Sequence, residues 1–190
     1  MRIARLRRSA KREDPGSPCL TCAIRLSIGI GEAVCIACHQ TPERKVARVG
    51  MAPDLSAIGV VSSEDKRDYV MSMGAKAVIN RNDFKCWGQL PKVNGPEFAD
   101  YMKESRKFGK AIWEHTDGKD VDIVFEHPGE ATFPVSVLVC KRGGMVVICA
   151  GTTGYNLTMD ARFLWMRQKR VQGSHFAHLY HASQANQLVI

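Results

Sequence analysis

The sequence predicts an α/β protein: a partial Rossmann-type parallel sheet flanked by helices. Three observations carry the prediction. Val121-Asp-Ile-Val-Phe-Glu126 and Gly143-Gly-Met-Val-Val-Ile-Cys149 are apolar, β-branched runs of strand length with helix-like sequence between them, the order of a parallel βαβ unit. Ile58-Gly-Val-Val61 and Ala77-Val-Ile79 repeat that arrangement upstream. Both later runs then change abruptly to small or polar residues, Glu126-His-Pro-Gly129 and Gly151-Thr-Thr-Gly154. In open α/β sheets, ligands lie outside such carboxyl ends.

A chain of 190 residues with 45% apolar content allows one globular domain, or a domain with an appendage. No run reaches the length of a membrane span. The net charge of +8 suggests nucleic acid, but residues 1–48 hold ten Lys and Arg against four Asp and Glu, and the other 142 hold seventeen against fifteen. The basicity belongs to the first quarter, so no nucleic-acid partner is expected for the fold. Seven cysteines without an apolar secretory leader favour a reducing compartment, and the expected location is cytoplasmic.

Residues 1–57 show no clear element pattern and are expected to form a basic, Cys-containing, poorly structured segment ahead of a domain over 58–190. Cys19-Leu-Thr-Cys22 and Cys35-Ile-Ala-Cys38 have the paired spacing that can complete a zinc tetrahedron. Neither pair is followed by a glycine, however, and an apolar Ile28-Gly-Ile-Gly31 run fills the interval. No metal site is expected; the alternative is a zinc ribbon binding nucleic acid through residues 1–48. Gly29-Ile-Gly31 lacks the third glycine of a dinucleotide fingerprint and has no clear strand before it.

From Ile58 the elements follow in order. Ile58–Val61 is a buried strand, and a helix runs from Ser62-Ser63 to about Met73. Ser62 and Asp65 make its capping box, Gly74 closes it, and Tyr69, Val70 and Met73 face inward. Ala77–Ile79 is the next strand. Residues 80–95 form a long connection holding Cys86, Trp87 and Pro91, of the kind that is usually functional or interfacial. An amphipathic helix over 96–115 turns Phe98, Tyr101, Met102, Phe108 and Ile112 inward, and 116–120 is a turn. A helix over 131–141 admits Pro134 only in its first turn and ends on Lys141-Arg142. A further helix spans 158–170 with a Phe163-Leu-Trp-Met166 face, then a strand over 171–176. A last helix begins near Ala182 and is cut short, so the chain is expected to be a fragment.

Several stretches closely resemble crotonyl-CoA carboxylase/reductase, of the medium-chain dehydrogenase/reductase superfamily. They are Val60-Val-Ser-Ser-Glu-Asp-Lys-Arg67, Met73-Gly-Ala-Lys-Ala-Val-Ile-Asn80, Arg106-Lys-Phe-Gly-Lys-Ala-Ile112, Asp122-Ile-Val-Phe-Glu-His-Pro-Gly129 and Leu164-Trp-Met-Arg-Gln-Lys-Arg-Val-Gln-Gly-Ser-His-Phe176. The resemblance runs from about Ile58 onward and covers part of that family's NADP-binding domain. It implies that NADPH gives hydride to the β-carbon of an enoyl-CoA and that the resulting enolate attacks CO2, in a full-length protein that is a homo-oligomer. A quinone or enoyl reductase without carboxylation is the alternative within the superfamily. The family's first strand and glycine-rich turn should lie just before Ile58, and residues 1–57 do not resemble them. That segment is expected to come from a shifted reading frame or a mis-joined gene, and the fragment alone to be inactive, with weak or no cofactor binding.

The residues fit the implied cofactor. A strand ending in Asp or Glu would bond the ribose 2′-hydroxyl of NAD, whereas a 2′-phosphate needs that carboxylate absent. Here Ser62 and Ser63 end the strand with Lys66 one turn on, a set suited to phosphate; Glu64 and Asp65 oppose it unless they point away, and the alternative is a simple N-cap with solvated charges. The resemblance puts the histidine of Glu126-His127-Pro128-Gly129 in the CO2 pocket beside the nicotinamide, making His127 the candidate catalytic residue. Chemically, an imidazole there can donate to an oxygen gaining negative charge. Glu126 either holds the tautomer of His127 or is a solvated strand end. Cys149, Ala150, Gly151 and Thr152 match the nicotinamide-side loop, with Cys149 as packing and not a nucleophile. His175, His178 and His181 recur every three residues, but His175 falls in a probable strand, so no metal is assigned to them.

Overall fold

A computed structural model describes residues 31–35, 55–72 and 74–175. Cys19, Cys22, Cys38, His178, His181 and the helix expected from Ala182 lie outside them. The described strands are β1 (Gly31–Cys35), β2 (Leu55–Val61), β3 (Ala77–Asn80), β4 (Val121–Glu126), β5 (Cys140–Ile148) and β6 (Arg170–Gly173). They form one sheet in the order β3-β2-β1-β4-β5-β6, and every neighbouring pair is parallel. This is the strand order of the dinucleotide-binding fold, whose crevice opens where β1 meets β4.

The inner strands are apolar on both sides because helices cover both faces of such a sheet. Val60, Val61, Val121, Ile123, Val124, Val146 and Val147 are all buried. Each contributes roughly 1.5–3 kcal/mol relative to an exposed side chain. The sheet also recruits a strand where no strand pattern is evident: β1 pairs with β2 through Ala33 and Ala57 and with β4 through Ala33 and Ile123. β2 likewise begins at Leu55, three residues before the expected start.

α1 (Arg67–Ser72) follows a short 3-10 turn at Glu64–Lys66. The capping box does not form: the N-cap is Ser63 and its hydroxyl makes no cap bond. Gly74 closes the helix as expected, at φ +93. Its amide reaches Met71 O and the Ala75 amide reaches Val70 O, a paired Schellman closure. Val70 faces inward, whereas Tyr69 is 46% exposed.

α2 (Phe98–Trp113) buries Tyr101, Met102, Ser105, Phe108 and Ile112, one stripe at helical spacing. The long connection after β3 packs on that stripe. Phe84 and Trp87 meet Phe108 edge-on, with ring centroids 5.3 and 5.0 Å away. Beyond the turn at Asp117-Gly118 and strand β4, α3 (Phe133–Val139) carries Pro134 in its first turn, where no N–H is needed.

Two helices are shorter than expected. α3 ends at Val139 and Cys140 is already extended, so Lys141 pairs with Asp122 at the start of β4 and not with a helix end. α4 (Ala161–Trp165) starts at Asp160, whose carboxylate accepts from Arg162 N at 3.0 Å. Phe163 packs on the core, but Trp165 and Met166 face solvent. Lys169, just before β6, donates to Val137 O at 2.6 Å and Leu138 O at 3.0 Å and so caps the end of α3.

Candidate functional site

Since all strand pairs are parallel, every strand exits on the same rim. Ser62 leaves β2, His127 leaves β4 and Cys149–Thr152 leave β5 there. With β1 between β2 and β4, the exits of Ser62 and His127 are two strand spacings apart, roughly 10 Å.

The β4 and β5 exits are laced into one structure. Cys149 N donates to Glu126 O at 3.2 Å and Thr153 N to Pro128 O at 2.9 Å. Thr153 Oγ1 also donates to Pro128 O at 2.7 Å and accepts from Ala131 N at 3.0 Å. Gly129 sits at φ +86, and a Cβ there would lie 2.8 Å from Gly154 O and 2.9 Å from the Cα of Gly151. Only a bare backbone allows the loops to approach this closely. A Cβ on Gly151 would meet the ring of Tyr155 at 2.8 Å, and that ring is 88% exposed over the loop.

The long connection after β3 closes the third side. Gly88 N donates to Ala131 O at 2.7 Å, Leu90 N donates to Thr158 Oγ1 at 3.1 Å, and Gln89 bonds Glu130.

Glu126 departs from both sequence expectations. It is fully buried, and its carboxylate does not hold the imidazole of its neighbour. It accepts instead from Gly129 N at 2.9 Å, from Thr132 Oγ1 at 2.6 Å and from Ser136 Oγ. Burial raises its pKa above the usual carboxylate value, and the bonds from Ser136, Thr132 and Gly129 offset only part of that rise. Thr132 and Ser136 were not singled out in the sequence; the only available signal was two hydroxyls six and ten residues past a strand-end carboxylate. His127 itself is half-buried beside this turn.

At the β2 exit, Ser62 O accepts from Asn82 Nδ2 at 2.5 Å. Glu64, which would oppose a phosphate, is drawn into an ion pair with Arg67 and a bond from Asn80. Arg67 is held in turn by Val78 O at 2.8 Å. Among the described residues, no three His, Cys, Asp or Glu side chains gather where they could hold a metal. None of the described helices is long and apolar enough to cross a membrane.

Residues 46–189 match the zinc-binding dehydrogenase family. The chain belongs to that family. Among zinc-binding dehydrogenases it is similar to the crotonyl-CoA carboxylase/reductase of Cereibacter sphaeroides, 72% identical over 136 residues, which are 71% of this chain and 32% of the relative. A solved crotonyl-CoA carboxylase/reductase superposes with a TM-score of 0.80 at 62% identity, covering 84% of this chain and 37% of that one. The structure of crotonyl-CoA carboxylase/reductase AntE in complex with NADP superposes at 0.78 and 37% identity, over 84% of this chain and 40% of that one. The resemblance read from the sequence therefore holds, and so does the Rossmann-like class of the fold. The chain spans about a third of the length of the curated relatives it matches.

Proposed function

We propose that residues 58–190 are the incomplete NADP-binding domain of an NADPH-dependent enoyl-CoA carboxylase/reductase, a cytoplasmic homo-oligomer when whole. The observation that carries this is the β2 exit. The second strand of this sheet order is the one whose end reads the ribose, and here two serines follow it while Glu64 is drawn into an ion pair with Arg67.

Ser62, Ser63 and Lys66 would hold the 2′-phosphate through hydroxyls and an ammonium. The bare backbones of Gly129 and Gly151, with Cys149, Ala150 and Thr152, leave room for a flat ring to lie against the loops. Bound NADPH supplies the hydride. His127, half-buried at the β4 exit, donates to an oxygen of the carbon dioxide or of the nascent carboxylate; partial burial strengthens that bond relative to water. Burial pushes the buried thiols of Cys86 and Cys140 up to about 12, which leaves them inert as nucleophiles. The enoyl-CoA would be held by the substrate domain, in the remaining two thirds of the family protein. One requirement is unmet within the sequence. After Cys35 no glycine occurs before Gly50, so the turn that lets backbone amides approach a pyrophosphate is missing and binding should be weak.

Titration of the chain with NADPH and NADH, followed by nicotinamide fluorescence, tests the proposal. NADPH should bind in preference, and Ser62→Asp should lower the NADPH-to-NADH ratio roughly tenfold to a hundredfold by setting a carboxylate against the phosphate. Equal affinities, unchanged by the substitution, would overturn it.

A further inference from the structure

We infer that Glu126 is the positioning residue of the β4 exit turn: its carboxylate draws together the Gly129 amide and the Thr132 and Ser136 hydroxyls, and so fixes where the His127 imidazole stands. The role assigned to His127 rests on the function proposed above; the mechanical claim about the turn does not.

The geometry makes the carboxylate a hub. Its Oε1 accepts from Gly129 N and Thr132 Oγ1, and its Oε2 accepts from Ser136 Oγ. The three partners follow one another along a single stretch, at the tip of the turn, at the residue before α3, and at the fourth residue of α3 itself. His127 and Pro128 are spanned by the bond from Gly129 back to Glu126, so their backbone closes a three-residue ring on a buried anchor. The tip is then pressed on the β5 exit, where a Cβ on Gly129 would touch Gly154 and Gly151. A shift of the Glu126 carboxylate therefore moves the histidine and the Cys149–Thr152 loop together.

The chemistry of the site gives this arrangement a reason. A fully buried carboxylate with no cation on it among the described residues is costly unless hydrogen-bond donors meet it. A solvated strand end would keep its carboxylate in water, and a helix cap alone would use one bond. Here three donors converge, at a cost that a plain turn of the same length avoids. In exchange, the imidazole is held on a rigid element, as placing a hydrogen-bond donor to a fraction of an ångström requires.

The test is hydrogen exchange by NMR on the 190-residue chain, with no cofactor present. The probes are the amides of Gly129 and Thr153, the amide of Val124 within β4, and the ring signals of His127. In Glu126→Ala, exchange at Gly129 should accelerate roughly tenfold to a hundredfold more than at Val124, and the His127 ring should lose its distinct environment. Glu126→Gln should keep both close to the parent, because the amide oxygen accepts from Gly129 and Thr132 while its NH2 donates to Ser136 Oγ. If Glu126→Ala does not fold, Ser136→Ala removes a single bond and is read in the same way, with a smaller excess at Gly129. Equal acceleration at Gly129 and Val124 would mean that Glu126 only stabilises the domain, and would overturn the inference. A Glu126→Gln variant as loose as Glu126→Ala would also overturn it. Equal affinities for NADPH and NADH would count against the proposed function and leave these exchange results standing.

Discussion

Lys169 is 8% exposed, and its ammonium donates to the last carbonyls of α3, Val137 O and Leu138 O. Burial lowers its pKa from 10.5 to about 8; Arg167 adds to the fall, and Cys140 and Asp120 oppose it. The consequence has a definite sign. Below pH 8 the lysine is charged in both folded and unfolded chains, and above 10.5 it is neutral in both. Between those limits the unfolded chain still binds the proton that the folded chain has released, so stability rises with pH. A fall from 10.5 to about 8 is worth about 3 kcal/mol over that window. Burial also pushes Cys86, Cys140 and Tyr101 up to about 12, so these groups act in the opposite sense above pH 9 to 10. Comparison with Lys169→Met largely cancels them and keeps the apolar stem. Methionine leaves two carbonyls without a donor, at about 1–3 kcal/mol each. Urea titrations at four pH values between 7.5 and 10.5 should therefore show the parent more stable, and its advantage growing by about 3 kcal/mol toward alkaline pH. An advantage that stays flat would mean that the two carbonyls fully compensate burial and that the lysine titrates normally, which would refute the reasoning.

Phe108→Ala should cost about 3–5 kcal/mol in urea denaturation, since Phe108 is fully buried under Phe84 and Trp87. Gly129→Ala should cost roughly 1–3 kcal/mol in thermal melts, because φ is +86 and the new methyl lies within 2.9 Å of two backbone atoms. Gly109→Ala is the control: it sits inside α2 with nothing within 4 Å of its Cβ position, and should stabilise by about 0.5–1 kcal/mol.

What the sequence showed depended on whether a signal was local. β2 through β5 are legible as β-branched runs, and α2 as a stripe, because burial acts residue by residue along one element. β1 was illegible. Gly31-Glu-Ala-Val-Cys35 has a single β-branched residue and opens on glycine; its place comes from the vacancy between β2 and β4. The ends of α3 failed for a related reason. Lys141-Arg142-Gly143 has the composition of a helix end, yet β5 needs Cys140 extended to pair with Val121. Glu126 shows the limit most clearly. A carboxylate at a strand end reads as solvated, and the hydroxyls that make its burial tolerable lie six and ten residues away, at the start of a helix and within it, and no spacing rule supplies the docking of that helix. The candidate site was legible as a set of exits, Ser62, His127 and Gly151, and not as the hydrogen-bonded structure that joins two of them.

β1 separates two properties that the dinucleotide-binding fold normally combines. Completing the sheet requires only backbone N–H and C=O groups at the right spacing, and almost any non-proline segment provides them. Gly31–Cys35 pairs with β2 and with β4 on that basis, and β2 and β4 keep the strand spacing that sets Ser62 opposite His127. Cradling a pyrophosphate requires glycines that let the chain turn tightly and approach the ligand, and the sequence from Ile36 to Arg48 has none. A strand of this composition can thus complete the architecture without supplying the cradle. The proposed 2′-phosphate end of the site rests on β2 and its serines; the affinity would rest on a turn whose chemistry cannot be supplied by pairing. Cofactor selectivity should accordingly survive in this chain even where cofactor affinity is poor.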